Sequence, residues 1–374
     1  MRKLVRSTFI IGLSGFLAAC ASGGGAGGVG TGPGTVDPSA GQTLSTAGNP
    51  WSIATREHVD LWLHGFAMIT DDTTLVPYFR RGYKAELAGV RTRANAVTQL
   101  DANRDRLAAR FAISRDLVNA QFVPMQFSSL DQMLEAIDIF LQAQGNPRAA
   151  NSREVAEVIA LLAGYFPVPA DREWLRLFAQ SLRDENNKFY RSYWDQQQSE
   201  RATVLAAVND RWQNSYRAKF QRYLNNTGQP AGTILLSLPL DGEGRSLGGG
   251  KLQNTVGVSF PSTVATADEA IYVIAHEVAL GPLAQAAVRE NITPAEQRAG
   301  VGTRYETFAA VRAGVMLLQR IAPELVDGYA RYYLRSAGRS VGSNPLASLT
   351  AAFPLNDLIR DAISRQLDVV LGGV

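Results

Sequence analysis

The sequence predicts a mainly α-helical body with a small β-sheet, an α+β arrangement that follows an N-terminal segment of different composition. Hydrophobic residues make up 46% of the 374 residues and charged residues 19%, a balance that supports a buried core and excludes a disordered chain. From residue 51 onward most apolar side chains recur at helical spacing, and only two short runs favour strands. We therefore expect one body over residues 51–374, with a helical part at 51–230 and the strands and later helices at 231–374.

The N-terminal segment has the parts of an export signal. Arg2, Lys3 and Arg6 precede an uncharged stretch over residues 7–19, too short for a membrane-spanning helix of about 20 residues. The stretch ends in the letters LAAC, in which Cys20 is the single cysteine of the chain. This pattern resembles the lipobox of bacterial lipoproteins, in which the cysteine is lipidated and becomes the new N-terminus.

The lipobox resemblance implies that residues 1–19 are removed and that a lipid bilayer holds the exported protein through Cys20. Ala21, where an aspartate would favour retention in the inner membrane, implies the outer membrane, on its periplasmic or surface face. Residues 20–50 are then a tether, because residues 21–50 contain ten glycines and no long hydrophobic run. Such a chain behaves as a flexible coil that reaches roughly 30 Å.

Charge and cysteine content exclude several classes of function. The 37 basic residues less the three in the signal segment leave 34, which balance 34 acidic residues, so the mature chain gives no warrant for a nucleic-acid partner. A single cysteine excludes an internal disulfide and a cysteine-based zinc site.

Helical periodicity runs through most of the body. In the first part, Val59, Trp62, Phe66 and Ile69 share one helical face. The predicted helices of that part cover residues 53–69, 77–95, 97–111, 128–144, 151–164, 171–198 and 200–225. Those of the second part cover residues 267–280, 283–291, 294–300, 304–321, 323–337 and 355–371.

Two short runs with β-branched residues, 233–240 and 254–260, predict a β-hairpin or two neighbouring strands. The glycine-rich stretch between them does not match a phosphate-binding loop, because Arg245 and Leu252 stand where that motif needs glycine and serine or threonine. We expect this stretch to be a simple loop.

One segment carries candidate chemistry. Residues 270–288 are almost wholly apolar, with polar side chains only at His276, Glu277 and Gln285. A helix that is hydrophobic all round is buried, and a buried carboxylate needs a partner or a shifted pKa. The pair His276 and Glu277 therefore requires an explanation.

A His-Glu pair in a buried helix after a strand pair resembles the HExxH helix of zincin metallopeptidases, gluzincins in particular. The resemblance implies zinc as a possible cofactor, with His276 as the first metal ligand, Glu277 as the general base and Glu306, on a following helix, as a further ligand. It covers roughly residues 230–320. The motif is degenerate: Leu280 stands at the second histidine, and Pro282 predicts that the helix ends or kinks there.

Other interpretations of these residues stay open. Glu306 also fits the third position of a capping box begun by Thr303, and Glu277 could pair with Arg304 or Arg312. We expect neither His58, on a solvated face, nor His64 to complete a metal site.

Three functions follow as expectations. The first is a degenerate, metallopeptidase-like lipoprotein, a pseudo-enzyme that binds a peptide or an envelope protein. The second is an active zinc hydrolase with Glu277 as base. The third is a helical envelope scaffold that holds no metal.

Overall fold

The computed structural model of the chain describes residues 43–44, 50–71, 74–248 and 254–372. The predicted signal segment, Cys20 and most of the tether lie outside these residues. Within them the protein is mostly helical with one small mixed sheet, so the prediction of a mainly α body with a small sheet is confirmed.

The sheet joins distant parts of the chain. Its strands are β1 (Thr43–Leu44), β2 (Trp51–Ala54), β3 (Gly232–Ser237), β4 (Arg245–Leu247) and β5 (Asn254–Ser259). They lie in the order β1-β2-β3-β5-β4. Strands β2, β3 and β5 are parallel, whereas β1 and β4 run antiparallel to their neighbours at the two edges.

The observed strands correct three expectations. Of the two alternatives for residues 233–260, the hairpin is wrong and the two neighbouring strands are confirmed, because β3 and β5 are neighbours and run parallel. The glycine-rich stretch is more than a loop, since it contributes the edge strand β4. The first predicted helix begins later than residue 53, because Trp51–Ala54 is a buried strand.

The helices pack around this sheet. Those before β3 are α1 (Glu57–Ile69), α2 (Tyr83–Arg93), α3 (Gln99–Ile113), α4 (Leu130–Gln142), α5 (Arg153–Tyr165), α6 (Pro169–Glu185), α7 (Arg191–Glu200), α8 (Ala202–Asp210) and α9 (Arg217–Asn226). Those after β5 are α10 (Asp268–Ala279), α11 (Ala286–Asn291), α12 (Pro294–Arg298), α13 (Val301–Ile321), α14 (Val326–Ser336), α15 (Pro345–Ala352) and α16 (Asp357–Gly372). A 3₁₀ segment, Arg115–Gln126, lies between α3 and α4, and π-helical segments join α6 to α7, α8 to α9 and α10 to α11.

Helix α10 lies at the centre of the second half of the body. Every residue from Ala270 to Ala279 is buried, and the helix packs on β5, α13 and α14. The stretch Val264–Asn291 is apolar and long enough to cross a membrane, but 78% of its most apolar window is buried inside the protein. Its hydrophobicity is accounted for by its place in the core.

The regular helix α10 ends at Ala279, near the break that Pro282 predicted, but the chain stays helical beyond it. Residues Leu280–Gln285 form a π-helical turn that joins α10 to α11. A proline in a regular helix leaves the carbonyl four residues earlier without its donor, here the carbonyl of Val278. That oxygen accepts hydrogen bonds from Tyr223 Oη at 3.1 Å and Gln229 Nε2 at 3.2 Å. The wider turn and the two outside donors let the chain stay helical through the proline.

Candidate functional site

A cleft of about 900 Å³ lies where the edge strand β4, the 3₁₀ segment Arg115–Gln126, the end of α10 and the first turns of α13 meet. It is within the size range of sites for small molecules or peptide segments. Of the candidate residues, Glu277 and Glu306 line this cleft, as does Leu280. The structure thus brings the two predicted carboxylates to one site.

Glu277 is buried and held by two hydrogen bonds. Ser246 Oγ on β4 donates to Oε2 at 2.7 Å, and His276 Nδ1 donates to Oε1 at 2.9 Å. Its described partners are therefore these two side chains. The alternative ion pair is wrong, since Arg304 lies over the Phe308 ring and Arg312 donates to a carbonyl.

His276 lies behind the cleft wall and is fully buried. Its Nε2 is 3.8 Å from Glu243 Oε2, and its ring stacks on Tyr333 with centroids 5.3 Å apart. Burial would lower the pKa of His276, but the hydrogen bond to Glu277 and the charge of Glu243 outweigh it and raise the pKa above its usual value. An imidazole that favours the protonated form has no lone pair for a metal at the pH where it is charged.

Glu306 lies in the second turn of α13 and is half-buried, and burial raises the pKa of its carboxyl. The capping-box interpretation is wrong, because the helix begins at Val301 rather than next to Thr303. Across the parts of the chain that the structure describes, no group of three or more histidine, cysteine or acidic side chains is placed to hold a metal ion.

Sequence reasoning missed the glycine-rich stretch as part of the site. Glu243 and Ser246, which contact His276 and Glu277, both come from it. Gly244 lets its backbone approach closely, since a Cβ there would lie 2.7 Å from Glu277 Cγ and 2.6 Å from the carbonyl oxygen of Gly257. Clustered glycines with interspersed polar residues were the available signal.

Arg245 is the cation among the described residues that line the cleft, and it is held in place. Its guanidinium lies 3.9 Å over the Tyr78 ring, donates to Gln121 Oε1 and donates to the Gly244 carbonyl at 2.7 Å. Three carboxylates, Glu243 among them, line the same cleft. The described lining of the cleft is therefore acidic overall.

The other two histidines lie elsewhere, on α1, and both are buried. The expectation of a solvated face at His58 is wrong: His58 Nε2 donates to the carbonyls of Pro124 and Phe127 at 3.1 and 3.0 Å. His64 lies 3.1 Å from Glu185 Oε1. Neither lines the cleft.

No protein-family model matches this chain, and no curated protein or solved structure matches it either.

Proposed function

We propose that this chain is an exported lipoprotein whose zincin-like body has a degenerate metal site and uses the cleft to bind an extended peptide of an envelope partner. The observation that carries the proposal is the position of β4. It is an edge strand, and residues 244–248 along it form one wall of the cleft. An edge strand beside a groove offers main-chain hydrogen bonds to an added strand and pockets to its alternate side chains.

The charge of the cleft favours a basic peptide. Among the described residues, the cleft is lined by three carboxylates, Glu277, Glu306 and Glu243, and by one guanidinium, that of Arg245. This guanidinium is already bonded to Gln121 and stacked on an aromatic ring. This excess of negative charge attracts a lysine or arginine side chain of the partner, and it increases mainly the rate and the specificity of association.

The geometry around His276 favours a binding protein over a working zinc hydrolase. In a zinc site one ring nitrogen contacts the metal and the other contacts a carboxylate or carbonyl. Here Nδ1 contacts Glu277 in that way, but among the described residues no group of three histidine, cysteine or acidic side chains is placed to hold a metal at Nε2. Leu280, one turn further on, has no lone pair to offer.

Peptide binding is tested with the full-length protein and fluorescently labelled peptides. We expect a short extended lysine-rich peptide to bind and its glutamate-substituted counterpart not to bind. Methylation of alternate backbone nitrogens should abolish binding, because it removes the donors of a strand pair. Glu306→Gln should weaken binding about fivefold, or ~1 kcal/mol, whereas the exposed Glu290→Gln should not. Equal binding of all three peptides would overturn the proposal.

The enzyme alternative is tested by metal content and hydrolysis. Elemental mass spectrometry of the purified protein, with His276→Ala as control, should find no stoichiometric zinc. About one zinc per chain that is lost in the control, together with peptide hydrolysis that Glu277→Gln abolishes, would establish the hydrolase instead. Absence of both zinc and peptide binding would leave the helical envelope scaffold.

The anchor is tested separately. Cys20→Ser should release the protein from the membrane fraction of a bacterial host. Unchanged membrane association would remove the lipoprotein part of the proposal and leave the cleft untouched.

A further inference from the structure

A second cavity, of about 340 Å³, lies beyond the carboxyl ends of the parallel strands β3 and β5. The crevice at the carboxyl ends of parallel strands is where α/β sheets generally bind ligands. None of the residues that line this cavity lines the acidic cleft.

Four arginines line the cavity: Arg80, Arg81, Arg201 and Arg335. Two carboxylates also line it, so the described lining carries an excess of positive charge. Its polarity is opposite to that of the acidic cleft.

Arg80 has spare donors. Its backbone is fixed, since its N–H donates to the Pro239 carbonyl at 2.8 Å, and its Nη1 lies 2.6 Å from Glu86 Oε2. Its Nε and Nη2 are buried and have no hydrogen-bond partner among the described residues. Buried guanidinium donors without partners are costly, and an anion in the cavity would satisfy them.

Arg201 also lines the cavity. Its Nη1 donates to the Phe260 carbonyl at 2.7 Å, and its guanidinium lies over the ring of that residue. Burial lowers the pKa of Arg201, and the charge of Arg80 lowers it further, because the two positive charges repel each other. Two half-buried like charges are stabilised by an anion between them.

The carboxylates of the cavity are already engaged. Glu269 pairs with Arg335 at 3.1 Å. Asp241 accepts hydrogen bonds from Tyr332 Oη and Ser336 Oγ, both at 3.3 Å, and burial raises its pKa. Neither carboxylate contacts the unpartnered nitrogens of Arg80 in the described structure.

We propose that this cavity binds the phosphate group of a small ligand. The N–H donors of a guanidinium group match the oxygens of a tetrahedral oxyanion. Two guanidinium groups that line one cavity offer more donors than the two oxygens of a carboxylate can accept, and a phosphate group has more oxygens to accept them. The volume holds a phosphate with a short organic group. The site does not depend on the peptide cleft, so failure of either proposal leaves the other standing.

The test is isothermal titration of the full-length protein with inorganic phosphate and, separately, with glycerol 3-phosphate, both at constant ionic strength. Arg80→Gln and Arg201→Lys are the test variants, the second of which keeps the charge and loses the fork. Arg153→Gln, which removes an exposed arginine paired with Glu157, is the matched control.

We expect saturable binding that weakens at least tenfold in both test variants and is unchanged in the control. Binding of inorganic phosphate identifies the free anion as the source, and binding of the ester alone identifies a small organic phosphate. Absence of binding of both compounds by the wild-type protein would overturn the proposal, even if the variants do not fold. Equal weakening in Arg153→Gln would overturn it as well, because the effect would then be one of net charge.

Discussion

His58 and Asp60 lie two residues apart on α1, both buried, and their pKa values move in opposite directions. Burial and the charge of Arg56 lower the pKa of His58 to about 4, although two backbone carbonyls accept from its ring. Burial raises the pKa of Asp60 to about 7, although the hydrogen bond that Trp194 Nε1 donates to it lowers the pKa. The two shifts make opposite contributions to the pH dependence of stability.

The sign of each contribution follows from where the proton is bound. Between about pH 4 and 6.5 the unfolded chain binds a proton at His58 that the folded chain does not, so this residue makes stability rise by ~1.4 kcal/mol per pH unit. Between about pH 4 and 7 the folded chain binds a proton at Asp60 that the unfolded chain does not, so stability falls at the same slope. Over its whole range, His58 contributes about 3 kcal/mol and Asp60 about 4 kcal/mol to the change in the free energy of unfolding. Because the two contributions have opposite signs, they nearly cancel between about pH 4 and 6.5.

Substitution of either residue should therefore reveal the pH dependence of stability that the other one causes. Relative to wild type, we expect the free energy of unfolding of His58→Gln to decline as pH rises from 4.5 to 6.5, by about 2 to 3 kcal/mol. Asp60→Asn should show the opposite trend over the same range. Urea unfolding at several pH values measures both, with the exposed Asp105→Asn as control. Variant curves parallel to the wild-type curve would refute the reasoning.

Three further predictions concern the cleft. Tyr223→Phe leaves the Val278 carbonyl with one outside donor, and it should lower the free energy of unfolding in urea by about 1 kcal/mol. No change would mean that the hydrogen bond from Gln229 is enough to satisfy this carbonyl. Gly244→Ala places a Cβ 2.6 Å from a backbone carbonyl and should cost about 1–3 kcal/mol by the same measurement; an unchanged midpoint would show that the loop yields. Leu280→His supplies the missing ligand type on the cleft wall and should raise zinc affinity at least tenfold in competition titrations; no gain would show that the π-helical turn misplaces it.

Helices were predictable from the sequence because each buries one face, and the apolar period records that face locally. Strand β2 was not, because Trp51–Ala54 pairs with Gly232–Ser237, which lies far along the chain. A short buried strand has no alternation, so its apolar residues resemble the start of the next helix. The glycine-rich stretch between the two later runs is a turn signal, which is why a hairpin was one of the two alternatives, and no local pattern records that β3 and β5 pair in parallel.

The burial of the polar residues at the start of α1 was also not predictable from the sequence, because their partners come from distant segments. Glu57, His58 and Asp60 look like a solvated face in the sequence, but each finds a partner from a distant segment. Arg191 lies 3.3 Å from Glu57, and Trp194 donates to Asp60. Polar residues are buried where partners satisfy them, and those partners are a property of the fold.

The candidate site shows the same division between local and non-local information. The apolar flanks of Glu277 correctly predicted its burial, and Glu306, from a helix further along the chain, lines the same cleft. The proximity of Glu243 to His276 Nε2, at 3.8 Å, is a property of the fold, because the edge-strand region brings the carboxylate there. With Glu277 bonded to one ring nitrogen and Glu243 3.8 Å from the other, the buried imidazole lies behind the cleft wall. The surface that we propose for a partner is then the one formed by carboxylates and an edge strand, a combination that suits a basic chain.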